Sequence, residues 1–316
     1  MGRRKIRHPA ELVRGVTRPS PWQLGGLSVR QLAARVYDQV WRDEVMDRAA
    51  ALSYYFVVAL FPALLFLTAL FGLLPVPGLM DRLLGYTHDV LPGDAASLVR
   101  RTTAEAVRGA RGGLLSLGAV GALWAASSGM NSAIVALNVV YDTKDQRPWW
   151  RRRLVALGLT VVFSLFVMLV LVLVVFGRPL GNALADVLGL GREFATAWTL
   201  LSWPVVVLIG LLGIGMVYYL APVVRQEWRW VTPGSAFAVA VWLLVSFGLR
   251  LYVNVVASYN AMYGSIGGVI LLLLWLYLSS LVILTGAEIN SEIEKAAATR
   301  VAAARREPPA VTRRAG

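Results

Sequence analysis

Apolar residues in this chain run together for the length of a membrane crossing six times. The last run is the clearest: between Ile266 and Leu284 the only small polar side chains are Ser279 and Ser280. At 1.5 Å per residue, about 20 residues of helix cross the roughly 30 Å hydrocarbon core of a bilayer. Serines can lie inside such a helix because the hydroxyl bonds back to the preceding turn. The same reading predicts spans near 51–74, 113–140, 154–176, 197–220, 233–256 and 265–287. The fold class expected is therefore all-α, a polytopic integral membrane protein with six transmembrane helices.

Outside the spans the pattern changes. Ser28 is a suitable N-cap, and Val29, Leu32, Val36 and Val40 recur at helical spacing with Arg30, Arg35, Asp38 and Arg42 away from them. This predicts an amphipathic helix over 28–48, lying on the membrane surface before the first span. Residues 1–27, with three prolines and four glycines, read as a basic mobile tail. Residues 28–295 form the membrane domain, and 296–316 read as a basic disordered tail. Between spans one and two, GLMDRLLGYTHDVL and DAASLVRRTTAEAVRG predict two short amphipathic helices on the far surface.

Composition agrees with the pattern. Of 316 residues, 57% are hydrophobic, and mean hydropathy is +0.62, above the range of soluble domains. There is no cysteine, so neither a disulfide framework nor a thiolate metal site is expected. His8 and His88, the two histidines, are too few for the usual multi-histidine metal site. No metal and no cofactor are expected, and no cleaved signal peptide is visible ahead of the first apolar run.

Charge places the ends of the spans. The net charge is +13, and residues 1–20 and 295–316 each contribute +5, which leaves +3 between them. Basic tails beside membrane helices are expected to contact anionic lipid headgroups. Without aromatic residues interleaved among the basic ones, nucleic acid is not the expected partner. Segments 1–50, 141–153, 221–231 and 286–316 hold 23 Lys/Arg, against seven in 75–112, 177–196 and 257–264. The positive-inside rule then puts both termini in the cytoplasm of a bacterial inner membrane. Self-association is left open.

Candidate chemistry is sparse. Trp124, Ser127, Asn131 and Asn138 fall on one face of the second span. Asparagine is costly in hydrocarbon without a partner. The stripe is either interhelical glue, with Gly118, Gly121 and Ala125 allowing close packing, or the lining of a polar cavity. Pro62 and Pro204 each remove a helical hydrogen bond and predict kinks in spans one and four. They open the two halves of a conceivable 3+3 arrangement, although no sequence match joins those halves. Trp198, Trp203, Tyr218 and Tyr219 read as interfacial aromatic belts on span four. Arg250, near the outer end of span five, is either an interface anchor or a substrate contact. Glu288 follows the last apolar run. It is either an ordinary interfacial carboxylate or the partner of an arginine in 141–153 or 221–231, locking or gating the bundle. No P-loop motif is present, so any transport would be facilitated or ion-coupled.

Four blocks carry a wider likeness: AAALSYYFVVALFPALLFL, ALNVVYDTKDQRPWWRRRL, YYLAPVVRQEWRWVTPGSAFA and SYNAMYGSIGGVILLLLWLYLSSLVILTGAEINSEIE. In order and spacing, over about residues 30 to 295, they resemble the YihY/BrkB family of bacterial inner-membrane proteins. The resemblance implies a six-span protein associated with virulence and of undefined biochemical activity. Some members were formerly labelled ribonuclease BN, a reading for which this sequence offers no clustered ligands or acid–base pair. Two functions are expected: transport or flipping of a lipidic or amphiphilic envelope component, or a non-transporting scaffold supporting envelope integrity. The substrate stays unknown.

Overall fold

A computed structural model describes residues 20–72, 114–188, 191–224, 231–255 and 260–306. Among the described residues there is no strand. A 3-10 helix, Pro21–Gly26, precedes seven α-helices: α1 (Val29–Arg42), α2 (Val45–Gly72), α3 (Leu114–Val140), α4 (Trp149–Leu188), α5 (Gly191–Leu220), α6 (Pro233–Val255) and α7 (Asn260–Arg306). Six helices are long and apolar enough to cross a membrane: Val45–Leu67, Ala119–Val140, Trp149–Val174, Leu200–Leu220, Pro233–Tyr252 and Gly267–Ala303. The six expected spans are these. The pair of amphipathic helices expected between the first two lies outside the described residues.

The N-terminal helix forms as its sequence dictates and ends sooner than expected. The Ser28 hydroxyl accepts from the Gln31 N–H at 3.2 Å, while the Gln31 side chain accepts from the Ser28 N–H at 3.0 Å, a capping box. Helix α1 stops at Arg42 because Glu44 adopts a left-handed backbone, φ 51°. The next helix then begins at Val45, six residues before the expected start of span one. Leu32 and Val36 pack against Ile293 of α7, so part of the stripe expected to meet lipid meets protein. The 3-10 helix joins this junction, since a Cβ on Gly25 would strike the Ile293 carbonyl and Ala296. Structure thus extends into both segments expected as tails, back to Ser20 and on to Arg306.

The closest packing lies at the end of the bundle where α1 and the C-terminal part of α7 meet, here called the base. Val45, Ala49 and Leu52 of α2 pack there with Ile134, Leu137 and Val140 of α3, Ala156 and Leu159 of α4, and Leu284 and Ala287 of α7. Tyr218 belongs to this core rather than to an aromatic belt. It is fully buried, and its hydroxyl donates to the Ile283 carbonyl at 2.5 Å. Small residues set the helix crossings, though not those expected. A Cβ on Gly121 would meet nothing, whereas one on Gly129 would touch the Phe56 ring at 3.0 Å and Ala59 at 3.2 Å. Between α6 and α7, Gly234 and Gly286 bring the two backbones into contact. Asn290 seals that crossing, accepting from the Gly234 N–H and donating to Thr232, both at 2.9 Å. Further out, Trp242 donates to Ser279 at 3.0 Å and Trp275 to Ser246 at 3.1 Å.

Candidate functional site: a polar stripe and two arginines

Span two, α3, is the most enclosed of the six, and its polar stripe divides into two environments. Ser127 is fully buried and donates to the Trp124 carbonyl one turn back at 2.7 Å. Asn138, 3% exposed, is a structural tie. Its amide donates to the Ile134 carbonyl at 2.9 Å, and its oxygen accepts from the Val223 N–H at 2.9 Å and from Thr143 at 3.1 Å. Asn131 is only partly buried, and half of the Trp124 surface is open. The stripe is glue at its basal end and an open polar face further along.

What meets that open face is a pair of arginines from the start of α4. Arg152 donates through Nε to the Asn131 oxygen at 3.1 Å. Arg153 donates to the Ser128 hydroxyl at 3.3 Å and to the Trp124 carbonyl, and its guanidinium carbon lies 4.2 Å from the Trp124 ring centroid. Counted along α3 from Val140, Asn131 is about 14 Å and Trp124 about 24 Å from the basal end. Both arginines belong to the apolar segment Trp149–Val174. Neither forms an ion pair with a carboxylate among the described residues, and the buried Arg153 Nε has no hydrogen-bond partner. Arg152 acts electrostatically on Asp145, and guanidinium donors not used on α3 stay able to take charge-assisted hydrogen bonds. The arrangement can therefore hold an anion, with Trp124 offering an apolar surface beside it.

The remaining candidates do not join this site. Pro62 and Pro204 lie inside continuous helices, Pro62 partly buried and Pro204 exposed. Arg250 is exposed on α6, with neither the anchor nor the contact reading favoured. Glu288 corrects its expectation. It is fully buried and pairs with no arginine: what faces it is the Asp43 carboxyl, with Asp142 and Lys295 nearby. The arginine of the 141–148 segment, Arg147, is engaged elsewhere, bidentate on Asp145 at 3.0 and 3.1 Å and on the Ala221 carbonyl at 3.0 Å. Burial alone would raise the Asp145 carboxyl, but Arg147 holds it below its ordinary value. Among the described residues no three His, Cys, Asp or Glu side chains are arranged to hold a metal ion.

Sequence reasoning passed over Asp43, and took Arg152 and Arg153 only as members of the basic segment 141–153. Both sit in WWRRRL, at the start of α4. Their neighbour at helical reach on another span is invisible in a one-dimensional pattern. Asp43 fell inside a helix expected to run to 48.

A six-span helical membrane protein with a polar, cationic face between two spans is thus the class of molecule described. The chain belongs to the family described as Virulence factor BrkB, which matches residues 36–310. It is similar to the ribonuclease-like protein YfkH of Bacillus subtilis strain 168, at 38% identity over 252 residues, 80% of this chain and 91% of that one. It also resembles a UPF0761 membrane protein of Stenotrophomonas maltophilia strain R551-3, at 28% identity over 268 residues, 79% of this chain. The UPF0761 membrane protein PSHAa0171 of Pseudoalteromonas translucida is 35% identical over 83 residues, 26% of this chain. The matched regions span 58% of the Stenotrophomonas protein and 28% of the Pseudoalteromonas one. No solved structure matches the chain.

Proposed function

We propose that this protein moves or flips an anionic, amphiphilic component of the bacterial envelope across the cytoplasmic membrane, with its base and both termini in the cytoplasm. The observation behind this reading is the pair of arginines that the start of span three lays against span two. Two partly buried cations at the start of span three hydrogen-bond neutral groups on span two beside a half-open tryptophan, and only Arg152 also acts on a carboxylate, Asp145. Such a face suits a phosphate- or carboxylate-bearing headgroup, and the open Trp124 surface suits the chain attached to it. The anionic lipids expected at the basic tails have the same headgroup chemistry, so one class of partner serves both. No nucleic acid is required, and we do not extend to this chain the ribonuclease-like name of its Bacillus relative. A non-transporting scaffold is the alternative.

Vesicles containing the purified protein test the proposal. The probes are phosphatidylglycerol and phosphatidylcholine carrying a fluorophore that an external reductant quenches. The expected result is faster quenching of inner-leaflet phosphatidylglycerol than in protein-free vesicles, with loss of that acceleration in Arg152→Gln/Arg153→Gln. Folded protein without acceleration favours the scaffold, and equal acceleration in the arginine variant removes the site from the mechanism.

A further inference from the structure

At the base, two carboxyls face each other where no cation is free to neutralise them. Glu288 is fully buried, and among the described residues no donor group reaches either of its oxygens. Asp43, at the junction between α1 and α2, is the ionisable group that acts on it most strongly, and the two carboxyls are near enough to hydrogen-bond once one of them is protonated. Every other charged group around them is engaged or like-charged. Lys295, one helical stretch further along α7, is bonded to Asp142 at 2.6 Å and to Glu292 at 3.0 Å. Arg48 of α2 donates to the backbone carbonyl of Asp43 at 2.7 Å, not to its carboxyl. Arg35 of α1 faces Glu292 at 4.0 Å. Asp142, from the segment after α3, adds a third negative charge to the neighbourhood. Gln39 supports the Asp43 carboxylate, donating at 3.1 Å, and Glu288 and the more distant Lys295 charge favour its ionised form as well.

A carboxylate closed off from water beside a second, half-buried one is costly to ionise, and one proton between them removes the conflict. We infer that Asp43 and Glu288 form a proton-binding site at the base of the bundle, the pair sharing a single proton. A metal ion is a poorer occupant, since no three ligating side chains converge among the described residues. Asp43 is half-buried and the Asp142 side chain is 50% exposed, so water reaches the neighbourhood of the fully buried Glu288 through them. The proton balance is simple: from both carboxyls ionised, the pair takes one proton from water to give neutral Glu288 beside ionised Asp43, and returns it when both ionise again. On release, repulsion between Asp43 and Glu288 pushes the α1–α2 junction away from α7. The inference stands on this geometry and does not require transport. Where the transport reading holds, the site supplies the ion that a chain lacking a P-loop would need.

Infrared spectroscopy of the full-length protein in lipid nanodiscs tests it. At pH 7 the folded wild type should show a protonated-carboxyl C=O band that shifts in D2O. Glu288→Gln should remove that band, and Glu292→Gln should keep it. Raising the pH should remove the wild-type band as a single proton, and Asp43→Asn should move that loss to lower pH. These last two readings decide the matter should Glu288→Gln not fold. Absence of the band from folded wild type, or its survival in folded Glu288→Gln, overturns the site. An Asp43→Asn titration identical to wild type shows that Glu288 does not share its proton with Asp43, and overturns the pair. None of these outcomes depends on lipid movement.

Discussion

Replacing Asn138 by alanine separates the structural end of the span-two stripe from its open face. In the native fold the Asn138 oxygen satisfies the Val223 N–H at 2.9 Å and the Thr143 hydroxyl at 3.1 Å, joining α3 to the segments after α3 and α5. Its donor bond to Ile134 stays within its own helix and adds little. Each lost inter-segment bond is worth about 0.5–1.5 kcal/mol net, with more where the orphaned group stays dry. Val223 is partly exposed, so water recovers some of its bond. We expect Asn138→Ala to cost about 2 kcal/mol, roughly a 30-fold fall in the folded-to-unfolded ratio. For Asn131→Ala, which loses one bond on an open face, the cost should be about 0.6 kcal/mol. Equilibrium unfolding in mixed micelles, followed by tryptophan fluorescence, measures both. Lipid movement per folded molecule should be unchanged in Asn138→Ala. Equal costs at the two positions, or a larger one at Asn131, would refute the division of the stripe.

Three further outcomes follow from the packing and charge. Gly286→Ala should abolish assembly or unfold the base at much lower denaturant, because the new Cβ would lie 2.6 Å from both the Gly234 carbonyl and the Tyr218 hydroxyl; Gly121→Ala, with nothing near it, should be neutral. Asn131→Cys, in a chain with no native cysteine, should react with a small water-soluble maleimide, and a folded variant that resists labelling from both sides would close the face to water. Asp43→Asn should stabilise the protein at neutral pH. Burial, the largest influence, with Asp142 adding to it, raises the Asp43 carboxyl above its ordinary value. Folded protein therefore binds this proton more tightly than unfolded, and stability falls as pH rises from the ordinary carboxylate range to the raised value. The advantage of Asp43→Asn should vanish near pH 4, and one that persists there would contradict the sign.

The spans were legible because membrane crossing is a constraint on length and apolarity, and both are written along the chain. The α1 start was legible for a similar reason, since a capping box is local. What one dimension concealed was pairing across helices. WWRRRL counts with the basic segment 141–153, and only the structure shows that two of its arginines bond Asn131 and Ser128 of α3. The stripe itself was visible from spacing, yet spacing could not tell that Asn138 ties a turn while Asn131 meets an arginine. Glu288 was singled out for the right reason, a carboxylate at the end of hydrocarbon, and read either as an ordinary interfacial carboxylate or as the partner of an arginine. An arginine was the natural counter-ion by charge, but the left-handed turn at Glu44 brings Asp43 to it instead.

Native mass spectrometry of the protein released from bacterial membranes tests the central claim most directly, because it reads what occupies the arginine face without an assumed substrate. Wild type should retain an anionic lipid, phosphatidylglycerol or cardiolipin, in preference to zwitterionic lipid. Folded Arg152→Gln/Arg153→Gln should lose it. Equal retention of the same lipid by both proteins would contradict an anionic-headgroup site on span two.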